Sequence, residues 1–312
     1  MKKINLQIFA ESGNNDLAAR TYQKEFKGLL QAVFKKQAYF ADFFTGGLEA
    51  LDGVQHNETA FYVKTSDIPV VFSEGNKDEN TEFGYNTGKN TAFGTGTGNT
   101  SRFGERTEII YLDTPVNYSW GWVFHEGIDR NTVNNNFDVA VADRLELQAQ
   151  AKTQKFNIKH SEFIAASAGK TETLSGYTAD AVLSLFNNLA KHFTNIHAIG
   201  ERVVKVNADL YNAIVDHPLT TSGKKSGASI DENGIVKFKG FIIEEVPEDV
   251  LVSGVIAYAY IRGVAKAFTG INTARTIESE DFDGVALQGE GKAGEYIPVD
   301  NKKAVVKVSI GA

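Results

Sequence analysis

The sequence predicts an α+β protein, and three observations carry that prediction. Two long segments, 16–44 and 134–160, place apolar residues three and four apart. A middle block, 161–270, mixes short capped helices with strand-like runs. Between them lies a tract, 74–106, so rich in Gly, Thr and Asn that it fits neither pattern.

The first ten residues end in Ile4-Asn-Leu-Gln-Ile-Phe-Ala10. The apolar stretch is short and interrupted by Asn5 and Gln7, so it reads as a retained arm and not as a signal peptide. In 16–44, Leu29, Leu30, Val33, Phe34, Tyr39, Phe40, Phe43 and Phe44 form a helical stripe, with Gly46-Gly47 as its stop. Residues 58–73 read as a strand broken at Pro69. Within 74–106, Thr81-Glu-Phe-Gly84, Thr91-Ala-Phe-Gly94 and Ser101-Arg-Phe-Gly104 repeat at a ten-residue period. So few aliphatic side chains cannot bury enough surface to fold alone. Residues 107–124 then return as strands, which makes 58–124 a two-stranded excursion with a loose tip.

The helix at 134–160 has Asn134, Asn135 and Asn136 as candidate caps and Phe137, Val141, Leu145 and Ala149 on one side. From Phe137 to His160 it would span roughly 36 Å. Beyond it, the pattern predicts a helix at 178–193 starting near Thr178 or Asp180. A strand at 202–206, a short helix at 207–215 and a polar loop at 217–228 follow. Asn233-Gly234 marks a hairpin between 229–230 and 235–238. Further strands are expected at 241–243, 250–258 and along the tail 272–312, ending in 304–308.

Composition narrows the function. Charged residues are 23% and hydrophobic residues 42%, with 32 basic against 39 acidic residues for a net charge of −7. A basic nucleic-acid binder leans the other way. With no cysteine, disulfide scaffolds, thiol catalysis and Cys-based zinc sites are excluded. No run of about 18 apolar residues is available to span a membrane.

The chemical motifs are weak. Gly94-Thr-Gly-Thr-Gly98 has the wrong spacing for a dinucleotide loop and reads as a flexible loop. Gly169-Lys170-Thr171 resembles the end of a phosphate loop, but the required first glycine is Ile164, so a turn is the better reading. The six histidines (56, 125, 160, 192, 197, 217) form no metal-binding pair and read as isolated or internally satisfied. The acidic run Glu278-Ser-Glu280-Asp281-Phe-Asp283 lacks the oxygen spacing of a calcium loop; it reads as a solvated turn facing a basic patch of a neighbouring subunit. No catalytic, cofactor-binding or metal-binding residue is expected. What remains is a chain with an arm, an excursion and a tail that do not complete themselves, a pattern that points to assembly.

The order of these elements resembles the major capsid proteins of tailed bacteriophages with the Hong Kong 97-type fold. The opening Ile4-Asn-Leu-Gln-Ile-Phe-Ala10 is similar to those of phages infecting Gram-positive bacteria. Tyr118-Ser-Trp-Gly-Trp-Val-Phe…Glu126-Gly-Ile-Asp129, running into Phe137-Asp-Val-Ala-Val-Ala-Asp143, resembles the strand feeding the family's spine helix. Gly240-Phe-Ile-Ile…Val246-Pro247 resembles the strand before the last part of its axial domain. The resemblance implies an N-arm at 1–14, a lead-in helix at 15–57 and an E-loop at 58–112. It further implies a peripheral domain from 113–160 and 271–312, and an axial domain at 161–270 with 217–234 near the five- and six-fold axes. It implies a virion protein, built in the bacterial cytoplasm, that forms hexamers and pentamers of an icosahedral shell around double-stranded DNA without reading its sequence. A separate scaffolding protein, a portal protein at one vertex and no proteolytic maturation are expected with it. Inter-subunit contacts are expected at Phe83, Phe93 and Phe103, at Arg102, Glu105 and Arg106 beside them, and at Phe9 of the arm. Three alternatives stay open: another phage structural protein such as a tail-tube or baseplate subunit, an encapsulin-like nanocompartment shell, and a nucleotide-binding enzyme resting on 169–171.

Overall fold

The computed structural model describes residues 37–51, 58–66, 70, 100–101, 104–105, 109–133, 137–221, 228–230 and 236–311. The chain divides into two compact units, one of residues 57–118 and one of 1–56 with 119–312. Its strands are β1 (Phe44–Ala50), β2 (Thr59–Ser66), β3 (Thr100–Ser101), β4 (Gly104–Glu105), β5 (Tyr111–Asn117), β6 (Trp120–Asp129), β7 (Lys170–Leu174), β8 (Arg202–Val206), β9 (Ala228–Ile230), β10 (Val236–Phe238), β11 (Phe241–Glu245), β12 (Val255–Ile261), β13 (Ala265–Glu278), β14 (Gly284–Tyr296) and β15 (Val305–Ile310). The helices are α1 (Phe137–Ser167), α2 (Ala179–Asn195), α3 (Ala208–Val215) and the single turn α4 (Pro218–Thr221).

The helix expected at 16–44 lies mostly outside the described residues, and its last part is corrected. Ala41–Phe43 is one 3-10 turn and Phe44 opens β1. Phe40, Phe43 and Phe44 are all buried, and Phe43 meets Phe44 and Tyr260 edge to face at 5.1 and 4.9 Å. Burying all three rings in the core overrides the local helical spacing. Gly46 and Gly47 are not a helix stop. They sit inside β1 with φ of +75° and +72°, which only glycine adopts freely, and they absorb the bulge between Phe44 and Leu48 as β1 pairs with β13.

A four-stranded sheet runs β1-β13-β14-β6. Its glycines have a packing reason. Gly289 and Gly291 of β14 lie directly across from Phe124 and Trp122 of β6, and an added Cβ at either would fall inside the facing ring. Large rings on one strand cover the bare backbone of the other.

Helix α1 crosses this sheet. It has 31 residues, about 46 Å, and it continues to Ser167 instead of ending at 160. The reason is packing: Ser161 hydrogen-bonds the Tyr258 hydroxyl at 3.0 Å, and Ile164 is fully buried. The first twenty residues of the helix contain no fully buried side chain; Asn157, His160, Ser161, Ile164 and Ser167 carry the core contact. The candidate caps Asn134–Asn136 lie outside the described residues.

The second sheet has seven strands, β7-β15-β12-β8-β11-β10-β9. Helix α2, capped by Thr178 through the Ala181 N–H, lays Phe186 and Phe193 against Phe238 and Phe241, with centroids 4.9–5.8 Å apart. Asn207 caps α3. The strand expected at 250–258 is displaced: Glu248–Val250 is a 3-10 turn, Gly254 turns the chain at φ +81°, and β12 starts at Val255. β9 and β10 pair antiparallel, with the Asn233-Gly234 turn outside the described residues. A second tight hairpin joins β10 to β11 through Lys239-Gly240, at φ +52° and +82°. β15 belongs to this sheet, between β7 and β12.

Candidate assembly surfaces

In the unit of residues 57–118, β2 and β5 form an antiparallel ribbon and, among the described residues, pair with no third strand. Cross-strand pairs hold it: Lys64 opposite Asp113, Thr65 Oγ1 3.1 Å from Thr114 Oγ1, and Thr59 donating to Asn117 at 3.1 Å. A lone two-stranded ribbon is marginally stable in water. This one also exposes Tyr62 (64%), Ile110 (55%), Tyr111 (68%) and Leu112 (55%). Apolar and aromatic side chains concentrated on so thin an element mark a contact surface.

Phe9, Phe83, Phe93, Arg102, Phe103 and Arg106 lie outside the described residues, and for Glu105 only the backbone is described, pairing with Thr100. Sequence reasoning missed Tyr62, Ile110, Tyr111 and Leu112. The available signal was Ile109-Ile-Tyr-Leu112, four consecutive apolar or aromatic residues running into β5, at odds with the alternation of a strand with one wet face.

The second surface is the upper part of α1, fixed to β6 by polar and aromatic contacts. Arg144 donates twice to Glu126, at 2.6 and 2.7 Å, and those bonds hold the Glu126 carboxyl below its ordinary pKa and raise that of Arg144. Lys152 Nζ sits 4.6 Å from the Trp122 ring centroid; burial lowers its pKa. Phe156 packs between Trp120 and Trp122 at 4.8 and 5.2 Å. Glu295 accepts from Trp120 Nε1 at 3.0 Å and lies 3.0 Å from His160 Nδ1. A helix held on one side by such contacts keeps its other side available.

A third feature is internal. Lys205, nearly buried in the central strand β8, ion-pairs with Asp42 at 3.1 Å and with Glu244. Asp42 also accepts from the Tyr260 hydroxyl at 3.0 Å, whose pKa is driven far up by burial and by that carboxylate. The network ties the lead-in turn to the seven-stranded sheet.

Gly169-Lys170-Thr171 joins the end of α1 to β7, the reverse of a strand–loop–helix phosphate site, and the Gly169 N–H is already bonded to the Lys302 and Val305 carbonyls. His160, His192 and His217 each have an internal partner. In the acidic turn, Arg130 of the same chain pairs with Glu278 at 2.6 Å and Asp283 at 3.6 Å. Among the described residues no cluster of metal-ligating side chains occurs, and no helix is long and apolar enough to cross a membrane.

No family model matches the sequence, and no curated protein matches it. The fold does match solved structures. The capsid of the cyanophage P-SCSP1u superposes with a TM-score of 0.57 at 11% identity, covering 89% of both chains. The mature capsid of bacteriophage PhiM1 gives 0.59 at 10% identity, covering 89% of this chain and 88% of that one. This is the Hong Kong 97-type capsid fold. The chain of Gordonia phage Cozz agrees, at 0.54 and 12% identity over 89% and 88%. The long α1 follows the ribbon in the chain. A strand-dominated tail-tube or baseplate architecture is set aside, since the 31-residue and 17-residue helices alone exceed a tenth of the 312-residue chain.

Proposed function

We propose that this chain is the major capsid protein of a tailed bacteriophage, a structural protein that assembles with copies of itself into hexamers and pentamers of an icosahedral shell. The observation that carries the reading is the capsid fold matched over nearly the whole of two phage capsid chains. The exposed ribbon supports it. On this reading 1–14 is the N-arm, 58–112 the E-loop, 113–160 with 271–312 the peripheral domain, and 161–270 the axial domain. Each E-loop lies over an adjacent copy, where Tyr62, Tyr111 and Leu112 find the apolar cover they lack in one chain. Phe83, Phe93 and Phe103 extend that contact, and Arg102, Glu105 and Arg106 set its register by pairing with other copies. Individually weak contacts become strong through closure of the shell. The partners are a separate scaffolding protein, a portal at one vertex, and DNA held without sequence-specific contacts. The net charge of −7 keeps DNA from adhering to the wall.

The test is electron microscopy of the protein expressed with and without its scaffold. Closed particles of uniform size support the reading, and a chain that stays monomeric at high concentration refutes it. Deleting 76–104 leaves a folded subunit that closes no shells; normal particles from that deletion would remove the E-loop assignment. DNA-free particles enclosing a co-purifying enzyme would instead favour a nanocompartment.

A further inference from the structure

The seven-stranded sheet is electrically polar along its strands. β8 runs parallel to β11 and antiparallel to β12, β12 antiparallel to β15, and β15 parallel to β7. Strands β7, β15, β8 and β11 therefore share one direction. At their starting ends lie Lys170, which opens β7, Arg202, which opens β8, and Lys302 and Lys303, just before β15. Arg262 follows the antiparallel β12 to the same end, and Lys191 is there in the last turns of α2. The bond between His192 Nε2 and the Lys303 carbonyl, 2.9 Å, brings that helix end to the lysines. Lys170, Glu172, Asn188, Lys191, His192 and Asn195 line an open cleft of about 300 Å³ there.

The opposite end is acidic. Asp180 lies in the first turn of α2, Asp209 in the first turn of α3, Glu245 closes β11, and Glu248 follows it. Asn207 donates to Glu248 at 3.2 Å, which brings the ends of β8 and β11 together. The segments 174–180, 207–209 and 245–254 contain no Lys or Arg. Some basic residues are neutralised within the chain, Arg262 by Glu201, Lys303 by Asp300 and Lys170 by Glu172. Among the described residues, the side chains of Lys191 and Lys302 at one end, and of Asp209 and Glu245 at the other, have no ion-pair partner. Helix dipoles favour Lys191 and Asp180 where they are, but Lys302, Arg262 and Glu245 belong to no α-helix.

We infer that the basic end of this sheet is a docking surface for the acidic end of a second copy of the same chain. The inference rests on the capsid reading. Two opposite charges at opposite ends of one body form a heterologous, head-to-tail contact, which closes into a ring when the rotation allows. Complementary charge steers the encounter and penalises the wrong orientation, in which like ends meet.

Charge reversal tests it. Lys191→Glu with Lys302→Glu reverses the two charges without an ion-pair partner at the basic end; Asp209→Lys with Glu245→Lys reverses the two at the acidic end. Circular dichroism confirms that each variant is folded. Ring formation is followed by native mass spectrometry and electron microscopy at low salt. Each double variant alone is expected to need at least tenfold more protein to form rings, and the quadruple variant to recover wild-type assembly. An equal mixture of the two double variants is expected to alternate around the ring, so it closes six-membered rings and no five-membered ones. Wild-type assembly by both double variants would overturn the docking surface and leave the capsid reading intact. Unchanged rings with DNA retention lost only in the Lys191→Glu, Lys302→Glu variant would overturn it in favour of a nucleic-acid contact. A wild-type chain forming neither rings nor shells would overturn both.

Discussion

Truncating Ile164 to Ala separates the part of α1 that belongs to the core from the part that does not. Ile164 is fully buried, four residues beyond the helix end the sequence suggested. The change removes three carbons, about 2.4 kcal/mol of transfer free energy at about 0.8 per methylene, and leaves a cavity, so the range for such truncations is about 2–5 kcal/mol. Alanine's better helix propensity returns less than about 0.7 kcal/mol. The net expectation is a loss of about 3 kcal/mol. Val139, 44% exposed near the start of the same helix, should tolerate Ala within about 0.5 kcal/mol. The assay is urea unfolding followed by tryptophan fluorescence. The only two tryptophans, Trp120 and Trp122, pack against Phe156 of α1 and so report on this helix. With an m-value of about 3 kcal/mol/M, Ile164→Ala lowers the midpoint by about 1 M and Val139→Ala leaves it in place. Equal midpoints for the two variants would refute the reasoning, because they would mean that the helix is anchored uniformly or not at all.

Three further outcomes follow from named contacts. Arg144→Ala returns the Glu126 carboxyl toward its ordinary value of 4.5. A carboxyl depressed in the folded state stabilises above the unfolded pKa, and that stabilisation is lost as pH falls through the folded value. Wild type should therefore outlast Arg144→Ala at neutral pH, with the gap closing in acid; a gap constant with pH would show that the pair does not contribute. Gly291→Val drives a side chain into the Trp122 ring and should cost at least about 1–3 kcal/mol with a shift in tryptophan emission; an unchanged emission and stability would show that the ring does not cover this glycine. Lys239→Asn supplies the residue that a tight hairpin prefers at φ +52° and should stabilise by up to about 1 kcal/mol in thermal melts.

Local chemistry was legible wherever a short signal decides the structure. Thr178, one of the two candidate starts, caps α2, Asn207 caps α3 where the short helix was expected to begin, and β8 has the bounds its apolar run indicated. Four regions were misread or missed, two because tertiary packing outweighed local pattern and two because a turn carried no strong marker. Phe40, Phe43 and Phe44 have helical spacing, yet each ring has a separate place in the core. The extension of α1 depends on Tyr258, nearly a hundred residues away, which no local period announces. The Lys239-Gly240 hairpin has no Asn or Asp to mark it, and Gly254 postpones β12 past an apolar run that looked continuous. The glycines of β14 have meaning only opposite Trp122 and Phe124, a pairing across more than 160 residues. The candidate contact residues of the Phe-Gly repeat lie outside the described residues, and the exposed apolar residues of the ribbon are a further candidate surface. An inter-subunit surface leaves little trace in one chain beyond apolar residues without cover.

Hydrogen exchange along the ribbon tests the central claim most directly. Dispersed subunits and assembled particles of the same protein are compared by mass spectrometry at peptides covering 59–66 and 111–117, with 202–206 of the buried β8 as internal reference. If adjacent copies complete the ribbon, its amides exchange at least tenfold more slowly in particles while the reference stays unchanged. Identical exchange in the two states would mean that the ribbon needs no neighbour, and the account of this chain as a shell subunit completed by its copies would fail.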